Sequence, residues 1–195
     1  MTIAPTSLLT ICGLDELDAH SARSVTHVLS ILDPGWPEPE AFFAYDPHHR
    51  TTLHFDDAIE PAANIALPRR EHVEQILAFG HAFRRDRAER PQAHLLIHCH
   101  AGISRSTAAM ATLLAQAHAD EDEEHIFARL VAIRPQAWPN SLMIGFADEL
   151  LSRDGRLNAA LRRHYGRRLT ARPELAAAMR GLNRAREVEM AEMPA

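Results

Sequence analysis

Cys99 and Arg105 stand in the run His98-Cys99-His100-Ala101-Gly102-Ile103-Ser104-Arg105-Ser106, which sets a thiol, a guanidinium and two hydroxyls close together. The run follows an apolar segment and leads into one rich in alanine and leucine. A loop between the carboxyl end of a strand and the first turn of a helix can turn several backbone N–H groups inward, which makes a concave cradle for a phosphate dianion. Gly102 permits the tight turn, and the amides of His100, Ala101, Gly102, Ile103 and Ser104 are the candidate phosphate ligands. Cys99 would lie among those amides, near the positive end of the helix, a setting that favours the nucleophilic thiolate. Arg105 could hold two phosphate oxygens in a planar fork that lysine cannot present. Ser106 could donate to the sulfur and make it a better leaving group. His98 is expected to orient the loop through hydrogen bonds.

A thiolate that attacks phosphorus needs an acid to protonate the departing oxygen and then a base to activate water, and one carboxylate can do both. Asp56 and Asp57 follow a strand-like segment and could reach over the cradle. Asp57 is the first choice and Asp56 the alternative.

The elements that must position these groups are legible from pattern. Ser7–Cys12, Val25–Leu32, Thr51–Phe55 and His94–His98 read as strands, the second stopped by Asp33-Pro34-Gly35. Leu14–Ala22 reads as a short helix. The proline-rich stretch Gly35–His49 reads as loop, in which Trp36, Phe42, Phe43 and Tyr45 either wall a deep pocket or pack the loop down. Apolar residues Val73, Ile76, Leu77 and Phe83 recur at helical spacing between Arg69 and Arg85. Further helices are expected over Ser104–His118, over Glu121–Ile133 with its acidic first turn, and after Pro139-Asn140. Strands alternating with helices predict an α/β fold, a mostly parallel central sheet flanked by helices. Residues 1–152 would form the main domain, and 153–195 a basic helical extension packing on it or trailing from it.

Composition narrows the rest. At 195 residues and 46% apolar, with a formal charge of −5, the chain suits one compact domain with no global basic excess for nucleic acid or anionic membrane. No apolar run is long enough to span a bilayer, and a cytoplasmic location is expected. Two cysteines, Cys12 and Cys99, cannot build a disulfide framework. All 21 basic residues are arginine, which fits a GC-rich bacterial coding sequence and implies no mechanism.

The run HCHAGISRS resembles the signature of the cysteine-dependent protein tyrosine phosphatase superfamily: His-Cys, five residues, Arg, then Ser or Thr. The order strand, Asp loop, helix, strand, Cys loop is similar to the compact dual-specificity branch over roughly Ser7–Ser152. The resemblance implies hydrolysis of phosphotyrosine, and of phosphoserine or phosphothreonine, on a protein substrate through a phosphocysteine, with no cofactor or metal. It also implies that Asn140 braces the phosphate loop. There are departures: no Trp-Pro-Asp triplet precedes Cys99, so the acid assignment rests on position, and the loop lacks the extra basic residues of phosphoinositide-directed members.

Other readings stand beside this one. Cys12 reads as a buried inert thiol rather than a redox partner of Cys99. The 13 histidines show no zinc-site spacing, and no metal is expected. His100 either rims the pocket or faces solvent. Arg153–Arg186 holds ten arginines against only Asp154 and Glu174, which reads as a solvated helix face or, less favoured, a grip for RNA. The alternatives in function are an RNA 5′-triphosphatase, a phosphate-recognition module without catalysis and, more distantly, rhodanese-like sulfur transfer.

Overall fold

The computed structural model describes residues 8–90 and 92–194, so Ser7, the expected start of the first strand, lies outside the described residues. Four strands, β1 (Leu8–Cys12), β2 (His27–Leu32), β3 (His49–His54) and β4 (His94–His98), form one parallel sheet in the order β1-β4-β2-β3. The two central strands are buried along their whole length, which is why HVLSIL and HLLIH carry no polar alternation. His27 aligns with His49, so β3 starts two residues before the expected Thr51.

Among the described residues the α-helices, in chain order, are α1 (Arg70–Glu89), α2 (Arg105–Ala117), α3 (Glu123–Ile133), α4 (Ser141–Leu150), α5 (Arg156–Ala171), α6 (Leu175–Gly181) and α7 (Ala185–Glu189). α2 directly follows β4 and is buried on nearly every side, from Arg105 to Ala115, as befits a helix surrounded by α1, α3, α4 and the sheet. One face of the sheet, with Ile11, Leu29, Ile31, Leu53, Leu95 and Ile97, joins the main core. α5 feeds Leu157, Ala160, Leu161, Tyr165 and Leu169 into that same core.

The opposite face, with Cys12, Val28 and Leu96, is covered by two 3-10 turns, Leu14–His20 and Glu40–Ala44, through Leu17, Phe42 and Tyr45. The Tyr45 hydroxyl donates to the Leu17 carbonyl at 2.7 Å and pins the second turn onto the first. Phe42 and Tyr45 therefore pack the 35–49 segment down, whereas Trp36 and Phe43 stay exposed. Among the described residues no helix is long and apolar enough to cross a membrane.

Candidate active site

Parallel strands present their carboxyl ends together, and in this sheet those ends meet at Cys12, Leu32, His54 and His98. Cys99 follows directly from β4, and the loop from His100 to Ser104 runs into α2. Gly102 adopts a left-handed φ of 67°. A Cβ there would lie 2.5 Å from the Cys12 carbonyl carbon and 2.7 Å from the Gly13 nitrogen, so the loop presses on the end of β1 in a way only glycine allows.

The loop's carbonyls are held from outside, one after another. His100 O accepts from Leu14 N at 2.9 Å and Ile103 O from Trp138 N at 2.9 Å, while Ser104 O begins the ladder of α2 by accepting from Ala108 N at 2.9 Å. The Arg134 guanidinium donates to Gly102 O at 3.0 Å and Ala101 O at 3.3 Å. Arg134 is itself clamped by both oxygens of Glu16, at 2.9 and 2.8 Å, and that pairing holds the Glu16 carboxyl below the usual carboxylate range. Because the peptide unit is planar and trans, a carbonyl aimed outward turns the following N–H inward. Among the described residues none of the amides of His100–Ser104 donates to a protein acceptor. Free amides turned inward in this way suit an anion.

Cys99 is 2% exposed, and its Sγ lies 3.2 Å from the Ser106 hydroxyl, itself fully buried. Arg105, 3% exposed, spends one guanidinium nitrogen on Asp33 Oδ1 at 2.6 Å and the Phe55 carbonyl at 2.7 Å. Its Nε is buried with no partner among the described residues, so the edge of the fork away from Asp33 retains a donor for a ligand. Asp33 was legible only as a strand stop, yet it orients this guanidinium.

The same turn shapes the rim. Asp33 N donates to His100 Nε2 at 3.3 Å, and the Trp36 ring stands edge-on to the His100 imidazole at 4.4 Å. His100 therefore lies on the rim under Trp36 rather than in open solvent. Its burial pushes its pKa down, against the pull of Asp33, which keeps the ring neutral with Nε2 accepting. His98 is buried behind the cradle, pushed down to about 4 by desolvation, and its Nε2 bonds Ser30 Oγ at 2.7 Å. It is a neutral strut.

The two aspartates part company. Asp56 closes its own loop, donating its N–H to Ala66 O and accepting Ala66 N at 2.7 Å on Oδ2. Asp57 turns to the cradle: its Oδ1 accepts from Ser104 Oγ at 2.7 Å, Asn140 Nδ2 at 3.0 Å and Arg184 at 3.0 Å. Asn140 also caps α4, accepting from Met143 N, and holds the Ala58 carbonyl. Its N–H reaches Ser104 O at 3.4 Å.

Cys12 sits on the sheet face opposite Cys99, in the cluster with Leu17, Val28 and Leu96. Burial pushes its thiol up to about 12, which suits an inert core residue. Metal-capable groups converge elsewhere: among the described residues His27, His49 and Asp86 bring ligand atoms within 4.8 Å of one another. They come from β2, β3 and α1, so no local spacing could reveal them. They lie at the amino ends of the strands, away from the cradle, and His27 and Asp86 are already paired at 3.2 Å.

The fold is that of the dual-specificity phosphatases. A variant of human DUSP28 superposes with a TM-score of 0.55 at 19% identity, covering 77% of this chain and 98% of that one. DUSP15 gives a TM-score of 0.52 at 19% identity over 82% of this chain and 94% of its own. Tk-PTP, in its active form, gives 0.50 at 16% identity over 78% and 99%. No protein-family model and no curated protein matches the sequence.

Proposed function

We propose that the chain is a cysteine-dependent phosphatase acting on phosphoproteins, with phosphotyrosine preferred over phosphoserine and phosphothreonine. The observation that carries this reading is the conjunction, around one buried thiol, of unpaired inward amides and the unpaired Arg105 Nε. In the first step Cys99 Sγ bonds to phosphorus as the tyrosine oxygen leaves, and Asp57 gives that oxygen its proton. In the second step Asp57 takes a proton from water, whose oxygen attacks the phosphocysteine. The S–P bond breaks, and Ser106 Oγ stabilises the departing thiolate from 3.2 Å. Arg105 and the amides bear the charge on the equatorial oxygens throughout.

Preference for an aryl ester is supported by Trp36 over His100 at the rim, beside an open groove that also includes Leu14 and the exposed Phe43. The RNA 5′-triphosphatase alternative needs free arginines in the tail. Most of them are engaged instead: Arg153 and Arg156 pair with Glu123, Arg163 and Arg167 with Glu124, Arg162 with Glu192 and Arg172 with Glu174, which leaves Arg180 and Arg186 as exposed arginines without an acidic partner among the described residues.

The test compares phosphotyrosine and phosphoserine peptides with an RNA bearing a 5′-triphosphate. The phosphotyrosine peptide should show the highest kcat/KM. Trp36→Ala should raise its KM about 2- to 10-fold with kcat little changed, the range of one aromatic contact. Faster hydrolysis of the RNA, or of phosphoserine, would refute this assignment.

A further inference from the structure

The C-terminal segment reaches the candidate site through one buried side chain. Arg184, the residue before α7, is 3% exposed; one of its terminal nitrogens donates to Asp57 Oδ1 at 3.0 Å and to Ser104 Oγ at 3.1 Å. Its other terminal nitrogen donates to Glu187 Oε1 at 2.7 Å. Glu187 is fully buried, and its carboxylate also accepts from Trp138 Nε1 at 2.6 Å and from the Ser141 N–H, at the start of α4, at 2.8 Å. The chain beyond α7 is fastened too: Glu192 N donates to Arg162 O, and a Cβ on Gly166 would strike the Glu192 carbonyl. Burying a guanidinium costs heavily unless its charge is answered; Asp57 and Glu187 answer it through the two terminal nitrogens, while Nε has no hydrogen bond among the described residues, so Arg184, Asp57 and Glu187 hold one another in register.

We propose that Arg184 is a positioning residue for the phosphatase reaction, fixing the Asp57 carboxyl against the cradle so that its free oxygen meets the leaving group. The idea rests on the assignment of Cys99 and Asp57 made above. Oδ1 accepts three donors, more than its two lone pairs can serve singly, whereas Oδ2 has no hydrogen bond among the described residues. The proton to be transferred therefore belongs on Oδ2. Asp57 lies in a stretch without helix or strand, 32% exposed at its side chain, so these three donors set its orientation. Ser104 belongs to the cradle and Asn140 to the α4 cap; only Arg184 comes from the segment beyond the phosphatase-like core. The C-terminal extension thus becomes part of the active machinery.

The experiment uses the full chain and two substrates that differ in their need for an acid. Phenyl phosphate leaves as a basic phenoxide and needs protonation; difluoromethylumbelliferyl phosphate leaves as a stable anion and does not. Arg184→Met should lower kcat for phenyl phosphate about 10-fold or more, within the range of general acid catalysis, and at least fivefold less for the activated ester. Adding Asp57→Asn to Arg184→Met should cost nothing beyond Asp57→Asn alone, since both disable one device. Should Arg184→Met fail to fold, Arg184→Lys, which keeps the charge without the planar fork, should show the same split at smaller size. Equal losses on both esters, no loss, a gain, or additive losses in the double variant would each overturn the proposal. Turnover of the activated ester that survives Cys99→Ser would instead overturn the phosphatase assignment beneath it.

Discussion

Arg105→Lys is expected to lower kcat/KM for p-nitrophenyl phosphate by about 10²- to 10³-fold, the cost of removing a donor aimed at developing transition-state charge. A lysine ammonium can approach the phosphate as a point charge, but it cannot hold Asp33 Oδ1 and the Phe55 carbonyl and still present a second edge to the ligand. The loss should fall on kcat more than on KM, because the fork's fit improves as charge spreads over the equatorial oxygens. Steady-state kinetics on the folded variant checks this. A loss below about tenfold would mean that the guanidinium is a structural partner of Asp33 and not a phosphate clamp.

Gly102→Ala should have an effect of similar size by a different route. The left-handed φ of 67° costs an L side chain about 1–2 kcal/mol. The added methyl would also lie 2.5 Å from the Cys12 carbonyl carbon and 2.7 Å from its oxygen, so the loop or the end of β1 must move. Either movement rotates the amides that form the cradle. Activity should drop about 100-fold or more, with a thermal midpoint lowered by several degrees for a few kcal/mol of strain. Retention of both activity and midpoint would show that the cradle does not depend on this close approach.

What sequence alone could reveal here follows from how locally each feature is encoded. Cys99, Arg105 and Ser106, the proposed nucleophile, clamp and hydroxyl, sit within eight residues, and β4 and α2 on either side carry strong patterns, so their grouping is legible in the sequence. The choice between Asp56 and Asp57 was only a lean, because neighbouring residues in an irregular loop differ in what they meet. Asp56 meets Ala66, and Asp57 meets Ser104, Asn140 and Arg184.

Three contributors went unread for the same reason. In the sequence Asp33 is punctuation after a strand, Arg134 falls just past the expected helix Glu121–Ile133, and Arg184 is one of ten tail arginines. Their roles come from partners at distances of 72, 118 and 127 positions along the chain. The tail reads from its sequence as a solvated basic face. Arg153, Arg156, Arg163 and Arg167 also answer the acids of α3, and Arg184 answers Asp57, while Arg180 and Arg186 stay exposed; Arg153 further donates to the Ala115 and His118 carbonyls at the end of α2. Charge composition reports how many ions a segment carries, and tertiary packing decides which of them remain free.

The most direct test of the central claim is phosphate release from a phosphotyrosine peptide by the reduced full chain in EDTA, with Cys99→Ser measured alongside. The account predicts steady turnover without added metal and none above background in Cys99→Ser, which keeps the cradle and so still binds the peptide. Turnover that persists in Cys99→Ser, or that requires added metal, or a folded and reduced chain that releases no phosphate, would contradict it.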